Sequence, residues 1–564
     1  MAPIDGARQP AADGRPSPNA RRGLGRDAGG VSLAVLVSRV LGLVREVVFT
    51  TLFGASRELD AFIAAFRIPN LLRDLFAEGA LSAAFVSTFA QKLEREGEKP
   101  AWELANRVLN DLVLVVGAIV VAGIVAAPWI VDWIAPGFRS EPGKIELTIT
   151  LTRILFPFLL LVAAAAVAMG VLNARAVFLV PASASSFFNV GSIVGGLFFV
   201  ALLAPGYFPW KVWDRGAVAP HHAPHEVVSA LVGMAIGTLI GGALQFLVQL
   251  PALRRVGFRY RAIAGFGDPG VTQVMRLMAP ATLGIAAVQI NVVVNTYFAS
   301  ELGDGPVSWL SVAFRLMYLP IGMFGVALGT VALPSLARSA ARGDLVAFRA
   351  SLGEGLRLLC VLCLPAAAGL AICSEPIIAV IYQHGRFGPD DTQAAATALG
   401  AYAVGLTGYA AIKILGPAFY ALNDAQTPMK VSAISVVVNL ASNWLVIRVL
   451  HLGHGGLALS TSVVALCNSA LLLVLLRRRT GVDSLGLRPT LLRATCATAV
   501  MAAVCCTWLH LLGKATGFAA SLGQVASTVP LGLVAFYLAG RALGVDELRR
   551  LSVALRQSLG RRSS

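Results

Sequence analysis

Residues 112–134 read LVLVVGAIVVAGIVAAPWIVDWI, with Asp132 as the one charged side chain. A continuous apolar stretch of this length suits a helix crossing a hydrocarbon core, which takes roughly 20 residues. It does not suit a barrel strand, whose segments of about ten residues alternate in polarity. Similar runs lie near 31–54, 60–90, 104–134, 145–173, 178–204, 226–251, 272–299, 306–336, 350–382, 392–422, 430–450, 455–476, 490–512 and 517–541. They predict an all-α integral membrane protein with about 14 transmembrane helices. Composition agrees: 57% of residues are hydrophobic, 13% are charged and mean hydropathy is +0.74. A soluble protein carries about 25% charged residues.

The formal net charge of +16 raises the question of a nucleic-acid partner, and the placement of the basic residues answers it. With a cytoplasmic N-terminus, the inner loops hold Arg21, Arg22, Arg26, Lys92, Arg95, Lys99, Arg254, Arg255, Arg259 and Arg261. They also hold Arg338, Arg342, Arg349, Arg477, Arg478, Arg479, Arg549, Arg550, Arg561 and Arg562. The outer side holds Arg57, Arg139, Lys144, Lys211, Arg215, Arg386, Arg448 and Lys514. Roughly thirty basic residues against about eight is a positive-inside bias. The charge therefore encodes orientation, with both termini cytoplasmic, and no nucleic acid is expected. Residues 1–30, rich in Ala, Gly, Pro and Arg, read as a disordered basic tail. A second basic tail is expected over 546–564. The seven cysteines lie mostly in apolar runs, and Cys360 and Cys363 have no His or acidic companions, so they read as small apolar filler.

Two short matches point to an internal duplication. Ala65-Phe66-Arg67 returns 248 residues later as Ala313-Phe314-Arg315, and Leu172-Asn173 with Asn189 returns 250 residues later as Leu422-Asn423 with Asn439. The implied design is two six-helix lobes related by a pseudo-twofold repeat, over 31–260 and 261–480, with two further helices over 481–545. Repeats of this kind place a transported substrate at the interface between halves.

Ionisable groups inside the spans are the informative residues, because each costs about 2.5–3.5 kcal/mol at a helix centre. The first span contains Ser38-Arg39-Val40-Leu41-Gly42-Leu43-Val44-Arg45-Glu46; the second contains Asp60, Arg67, Pro69, Asn70, Arg73, Asp74 and Glu78. Arg39 and Arg45 lie about 120° apart around a helix, so the first span presents a broad polar face with Gly42 between them. Pro69 removes a backbone hydrogen bond and is expected to kink the second span between Arg67 and Arg73. Four arginines against Glu46, Asp60, Asp74 and Glu78 fit either buried structural pairs or a ligand site. Arg315 differs, since its span holds no carboxylate between Val307 and Leu336. It needs an acid from another helix or an anionic ligand, and the forked guanidinium suits phosphate.

Other signals are weaker. His221, His222 and His225 fall in a Pro-rich outer segment and read as a solvated loop. Asn291 and Asn295, spaced i, i+4, could line a cation site but more simply make a helix contact. No phosphate-binding loop, HExxH or GxSxG is present. The chain is expected to be no enzyme, to carry no cofactor, and to run on an ion gradient, the membrane potential or the substrate gradient.

The run Ser38–Glu46, with Asp60-Ala61-Phe62, Pro69-Asn70-Leu71-Leu72-Arg73 and Phe76-Ala77-Glu78-Gly79-Ala80, resembles the opening of the MurJ (MviN) lipid II flippases. Phe314-Arg315-Leu316, Gly325-Val326-Ala327-Leu328-Gly329-Thr330, Leu333-Pro334-Ser335-Leu336 and Gly416-Pro417-Ala418-Phe419-Tyr420 continue the resemblance, which covers about 31–541. It implies the MOP exporter fold, an arginine-lined cavity between lobes, and a groove beside the last two helices for a polyprenyl tail. Carried over by position, Arg39, Arg45, Arg73 and Arg315 are the substrate-binding arginines and Asp60 an essential acid. Ser38, Gly42, Arg67, Pro69, Asn70 and Glu78 are supporting cavity or gating residues. Two departures stand out. Asp74 occupies a position where some members carry a second Arg, and Asn295 replaces an Asp with which some members bind sodium, leaving Na+ or H+ coupling open.

The expected function is translocation of lipid II, an undecaprenyl-diphosphate-linked disaccharide-pentapeptide, across the bacterial cytoplasmic membrane by alternating access. Membrane lipids and cell-wall synthesis enzymes are the other expected partners. The rivals are export of another lipid-linked oligosaccharide, a cation-coupled multidrug antiporter, which favours acidic cavities, and a membrane scaffold, which needs no intramembrane arginine.

Overall fold

The computed structural model describes residues 18–75, 80–207, 223–481, 485–515 and 517–550, and every regular element among them is helical. The first lobe comprises α1 (Pro18–Phe53), α2 (Arg57–Arg73), α3 (Ala80–Glu96), α4 (Glu98–Ile134), α5 (Lys144–Leu155), α6 (Phe158–Ala174), α7 (Leu179–Leu203), α8 (Pro224–Leu247) and α9 (Leu250–Arg255). The second comprises α10 (Pro269–Ser300), α11 (Pro306–Pro320), α12 (Ala327–Ala341), α13 (Leu345–Ile372), α14 (Ser374–Tyr382), α15 (Pro389–Ala421), α16 (Gln426–Trp444) and α17 (Gly453–Thr480). The C-terminal pair is α18 (Leu487–Leu512) and α19 (Phe518–Ala542).

Eleven of the described helical segments are long and apolar enough to cross a membrane. Outside that set lie α1, α10 and the α2–α3 pair, whose members have 17 residues each. With them the count reaches the fourteen spans expected. α2 and α3 fall short on length, while α1 carries Arg39, Arg45 and Glu46 of the site described below.

Helix ends carry their own acceptors, as backbone groups at a terminus require. Ser56 accepts from Leu59 N at the start of α2, Asp268 from Gly270 and Val271 N at α10, and Asp344 from Ala347 N at α13. Gly481, in the left-handed region at φ +64°, ends α17. Pro69 does not break α2. The helix runs through it to Arg73, and Asp74 N still reaches Asn70 O; the widened turn comes at residues 74–75. Its counterpart is the widened turn Ile321–Val326 that joins α11 to α12.

The two lobes share one packing plan. In the first, α1 lies on α7, α3 on α4 and α6, α4 on α6, and α8 on α6 and α7; α10, α12, α13, α15, α16 and α17 repeat that pattern in the second. Element boundaries set the register: α6 ends at Ala174 and α15 at Ala421, 247 residues apart. The Leu172-Asn173 match at 250 is therefore almost a helical turn out of step. Tight seams rest on glycine: Gly233, Gly237 and Gly241 of α8 meet the backbone of Phe188, Ser192, Gly196 and Phe199 on α7.

α10 crosses between lobes. Its start packs on α3 and α4, where Asp268 pairs with Arg107, and its end packs on α16. The connection before it is strapped to α4: Asn106 bonds Arg259 O and Arg261 N, Asn110 bonds Arg261 O and Ile263 O, and Asp111 accepts from Gly265 N. The C-terminal pair packs on α13 and α14. Two expectations about the tails change. α1 begins at Pro18, inside the segment read as disordered, and Glu547, read as tail, is held by Arg357 at 3.0 Å.

Candidate functional site

The first turn of the polar stretch on α1 serves helix packing. Asn189 of α7 donates to the Ser38 carbonyl at 3.1 Å, and its carboxamide fills the open face left by Gly42. Ser38 and Gly42 thus seat α7. One turn further, the Arg45 guanidinium lies over the Phe188 ring, 4.9 Å from its centroid. Arg45 is within electrostatic reach of Arg315, Glu46 and Arg73.

Arg315 of α11 forms an ion pair with Glu46 of α1, joining the lobes. Of the two partners the sequence left open for Arg315, an acid from another helix or an anionic ligand, the structure supplies the first, from a helix far away in sequence. Arg73 bonds its neighbour Asp74 at 2.8 and 3.1 Å, and Gln289 of α10 donates to the other Asp74 oxygen at 2.6 Å. Arg67 donates to Thr296 Oγ1 at 3.1 Å and lies within electrostatic reach of Tyr402 and Arg315. Among the described residues, Arg45 and Arg67 make no ion pair. Counted over the described residues, the cluster holds Arg45, Arg67, Arg73 and Arg315 against Glu46 and Asp74, an excess of positive charge where the lobes face each other. Glu78 lies outside the described residues. Arg39 is exposed, with its guanidinium against Gly322 in the widened turn between α11 and α12. Pro69 is buried, and Asn70 contributes its carbonyl to the helix.

Asp60 sits elsewhere. It is fully buried and accepts from Gly305 N at 2.7 Å, Ser308 N at 2.8 Å and Ser308 Oγ at 2.6 Å, capping α11 from across the lobe boundary. Lys144 Nζ lies 3.5 Å from Asp60 and 2.6 Å from Asp304, and 4.2 Å from the Phe138 ring centroid. Lys144 was counted with the outer loops, yet it is 0% exposed. The signal for it was its apolar company, Ile145 and Leu147, directly after a Pro-Gly turn. For Ser308 it was Gly305-Pro306 opening a helix whose free N–H groups need an acceptor.

A second contact closes the same end. Arg386 donates from its backbone to Thr51 O and from Nη1 to the Tyr207 hydroxyl, which donates to Leu52 O. Burial holds the Tyr207 hydroxyl above its ordinary range, so it stays a donor. Asp391 accepts from Ala55 N at 3.3 Å and Trp309 Nε1 at 3.0 Å. Sequence reasoning missed all of these, since each pairs segments between 82 and 336 residues apart.

Asn295 is engaged by neutral groups. It donates to Thr461 Oγ1 at 3.1 Å and accepts from Asn443 Nδ2 at 2.8 Å, and Asn443 also reaches Asn439 Oδ1 at 3.1 Å. Among the described residues no three His, Cys, Asp or Glu side chains gather as a metal site. His221 and His222 lie outside the described residues, and His225 is exposed near the start of α8.

Comparison with known proteins places this arrangement. Residues 49–524 match the family model "Lipid II flippase MurJ". A "Lipid II flippase MurJ" of Burkholderia cenocepacia is 38% identical over 80% of this chain and 83% of its own. A "Probable lipid II flippase MurJ" of Vibrio cholerae is 36% identical over 78% and 81%. A solved structure described as "Lipid II flippase MurJ, inward closed conformation" superposes with a TM-score of 0.72 at 25% identity, covering 91% of this chain and 99% of that one. An inward-facing MATE transporter of the MOP superfamily shares the fold, with a TM-score of 0.63 at 15% identity over 79% of this chain and 94% of its own. The chain is a multi-pass membrane protein and belongs to the MurJ family of lipid II flippases.

Proposed function

We propose that this protein moves lipid II from the inner to the outer leaflet of the bacterial cytoplasmic membrane. The observation that carries the reading is the excess of guanidinium groups between the lobes, Arg45 and Arg67 beside the paired Arg73 and Arg315. Uncompensated charge inside a membrane protein is stabilised by a ligand of opposite sign, and a diphosphate offers several oxygens to forked donors. Arg39 lies toward the opposite end from the Asp60 contact and serves as the first electrostatic contact. Basic residues concentrate on the loops at that end, so both termini face the cytoplasm and the Asp60 and Arg386 contacts face outward.

The cycle follows from the closed outer end. The diphosphate enters from the cytoplasm and engages Arg45, Arg67, Arg73 and Arg315. The Asp60 and Asp391 contacts then part, while the polyprenyl tail remains in the bilayer beside α18 and α19. No residue here acts as a catalyst. A multidrug antiporter is disfavoured because the cluster repels cations. The test is growth of a strain depleted of its own lipid II flippase, together with translocation of labelled lipid II by the purified protein in vesicles. Growth without translocation, or transport of another lipid-linked glycan in preference, sinks the reading.

A further inference from the structure

One buried donor beside the arginine cluster has no use in the closed state. Tyr382, the last residue of α14, is 0% exposed, and its hydroxyl has no hydrogen-bond partner among the described residues. A buried O–H without an acceptor is costly, and buried tyrosine hydroxyls ordinarily find one. Packing alone is served by phenylalanine, as at Phe387, whose ring centroid lies 6.1 Å from that of Tyr382. A bond made in another state of the protein accounts for a hydroxyl at this position.

The acceptor lies across the lobe boundary. α14 packs on α1, and Leu43 and Val47 of α1 border the apolar cluster that holds Tyr382. Glu46 stands next to Val47, and both Glu46 and Arg315 are within electrostatic reach of Tyr382. Four residues beyond Tyr382, the Arg386 N–H donates to Thr51 O, which fixes this stretch against α1 while the outer end is closed. Glu46 Oε2 is itself buried; it forms the ion pair with Arg315 but accepts no directed hydrogen bond among the described residues. An acceptor short of a donor thus stands near a donor short of an acceptor, on opposite lobes.

Arrival of the diphosphate gives the two groups reason to meet. When Arg315 turns its fork to an anion, a second negative charge stands beside Glu46, and like charges in a site of low dielectric repel. A buried carboxylate that loses its guanidinium needs another donor. We propose that Tyr382 is a positioning residue for the substrate: its hydroxyl takes over Glu46 as Arg315 passes to the diphosphate. The exchange keeps Glu46 bonded, frees the guanidinium, and leaves α1 tied to α14 while the cavity is loaded. It consists of one ion pair exchanged for one hydrogen bond, with no proton transferred. The inference rests on the diphosphate reading above, though not on which glycan the diphosphate carries.

The experiment uses the purified full chain in nanodiscs and undecaprenyl diphosphate, which brings the charge without the glycan. Tyr382→Phe should leave the melting temperature of the ligand-free protein unchanged or raised, because the hydroxyl has no partner there. The same change should weaken diphosphate binding on the order of tenfold, the effect of one charge-assisted hydrogen bond. In a Glu46→Gln background, where no carboxylate awaits a donor, Tyr382→Phe should weaken binding by less than about threefold. Unchanged affinity in Tyr382→Phe overturns the proposal. So does a fall in the ligand-free melting temperature alongside the loss of affinity, since a hydroxyl with a purely structural role gives both. An undiminished loss in the Glu46→Gln background also overturns it, by placing the hydroxyl on the diphosphate itself. Wild type without saturable diphosphate binding overturns it too, whereas diphosphate binding without lipid II translocation sinks only the flippase reading.

Discussion

Replacing Asp60 by alanine should open the outer end of this transporter. In the closed state Asp60 accepts three hydrogen bonds from Gly305 and Ser308 and faces Lys144, with both side chains of the ion pair 0% exposed. Each hydrogen bond to a charged group contributes about 1.5–3 kcal/mol, and removing one partner of a buried pair costs about 3–5 kcal/mol. Lys144 keeps Asp304 and water fills some of the vacated space, so about 3 kcal/mol is a working figure. When the lobes part, the same N–H groups and the ammonium reach water, so the penalty falls on the closed state alone. The ratio of open to closed protein should therefore rise on the order of a hundredfold.

Ser300 reports this directly. It is 2% exposed and accepts from Gly137 N of the other lobe at 3.2 Å. In a background lacking the seven native cysteines, Ser300→Cys should resist an impermeant maleimide in intact cells while Asp60 is present. It should label about a hundredfold faster with Asp60→Ala. Asp60→Asn, which keeps one acceptor and loses the charge, should fall between. An unchanged labelling rate in Asp60→Ala protein that inserts and melts as the parent does would refute the view that this contact holds the outer end shut.

Three further outcomes follow from the arginine cluster and its surroundings. Arg45→Ala and Arg67→Ala, each removing a guanidinium with no ion-pair partner, should weaken binding of lipid II by roughly ten- to a hundredfold, read by titration of the purified protein; Arg→Lys should recover only part, since the fork is lost. Glu46→Gln should lower thermal stability by leaving Arg315 without its counter-charge, and Glu46→Gln with Arg315→Gln should restore stability but not transport; full transport in the double variant would make Arg315 a structural residue. Exchange of sodium for choline should leave translocation unchanged, because Asn295, Asn439, Asn443 and Thr461 offer only neutral oxygens, whereas Asn295→Asp should make translocation respond to sodium.

The spans were legible because a hydrocarbon core imposes a single demand, length without charge, and α4 or α15 meets it within one stretch of chain. The charged stretch on α1 was legible for the opposite reason, since arginine in an apolar run is too costly to be incidental. What could not be read was partnership. Arg315 and Glu46 are separated by most of the first lobe, so inspection of the Arg315 helix alone finds no acid. Lys144 looked like a loop residue because it follows a turn, and only the fold brings Asp60 and Asp304 to it. Pro69 sits inside α2 without ending it, since a proline removes one hydrogen bond and the helix tolerates that loss. Asn295 makes the helix contact that was one of its two readings, and its neutral partners on α16 and α17 were beyond any local pattern.

The two closing contacts and the arginine cluster are linked by geometry. α2 carries Asp60 and, seven residues on, Arg67; α11 carries Ser308 and, seven residues on, Arg315. Seven residues is about 10.5 Å of helix, so each rigid helix joins the outer contact to the cluster over two turns. Parting Asp60 from the start of α11 must tilt or slide α2 against α11, and that changes the spacing of Arg67 and Arg315. Such coupling has a sign. A ligand shifts the balance between closed and open only through a difference in affinity between the two states. With no anion present, Arg45, Arg67, Arg73 and Arg315 repel one another, and among the described residues Glu46 and Asp74 offset them in part, which favours lobes held apart at this depth. A bound diphosphate reverses that repulsion and draws α2 and α11 together at the cluster. If the helices pivot there, the outer ends carrying Asp60 and Ser308 separate. Combining Asp60→Ala with Arg67→Ala tests this link: if the outer contact and the cluster are coupled, the double variant should depart from additivity in both Ser300→Cys labelling and lipid II affinity, whereas strict additivity would show that the two act independently.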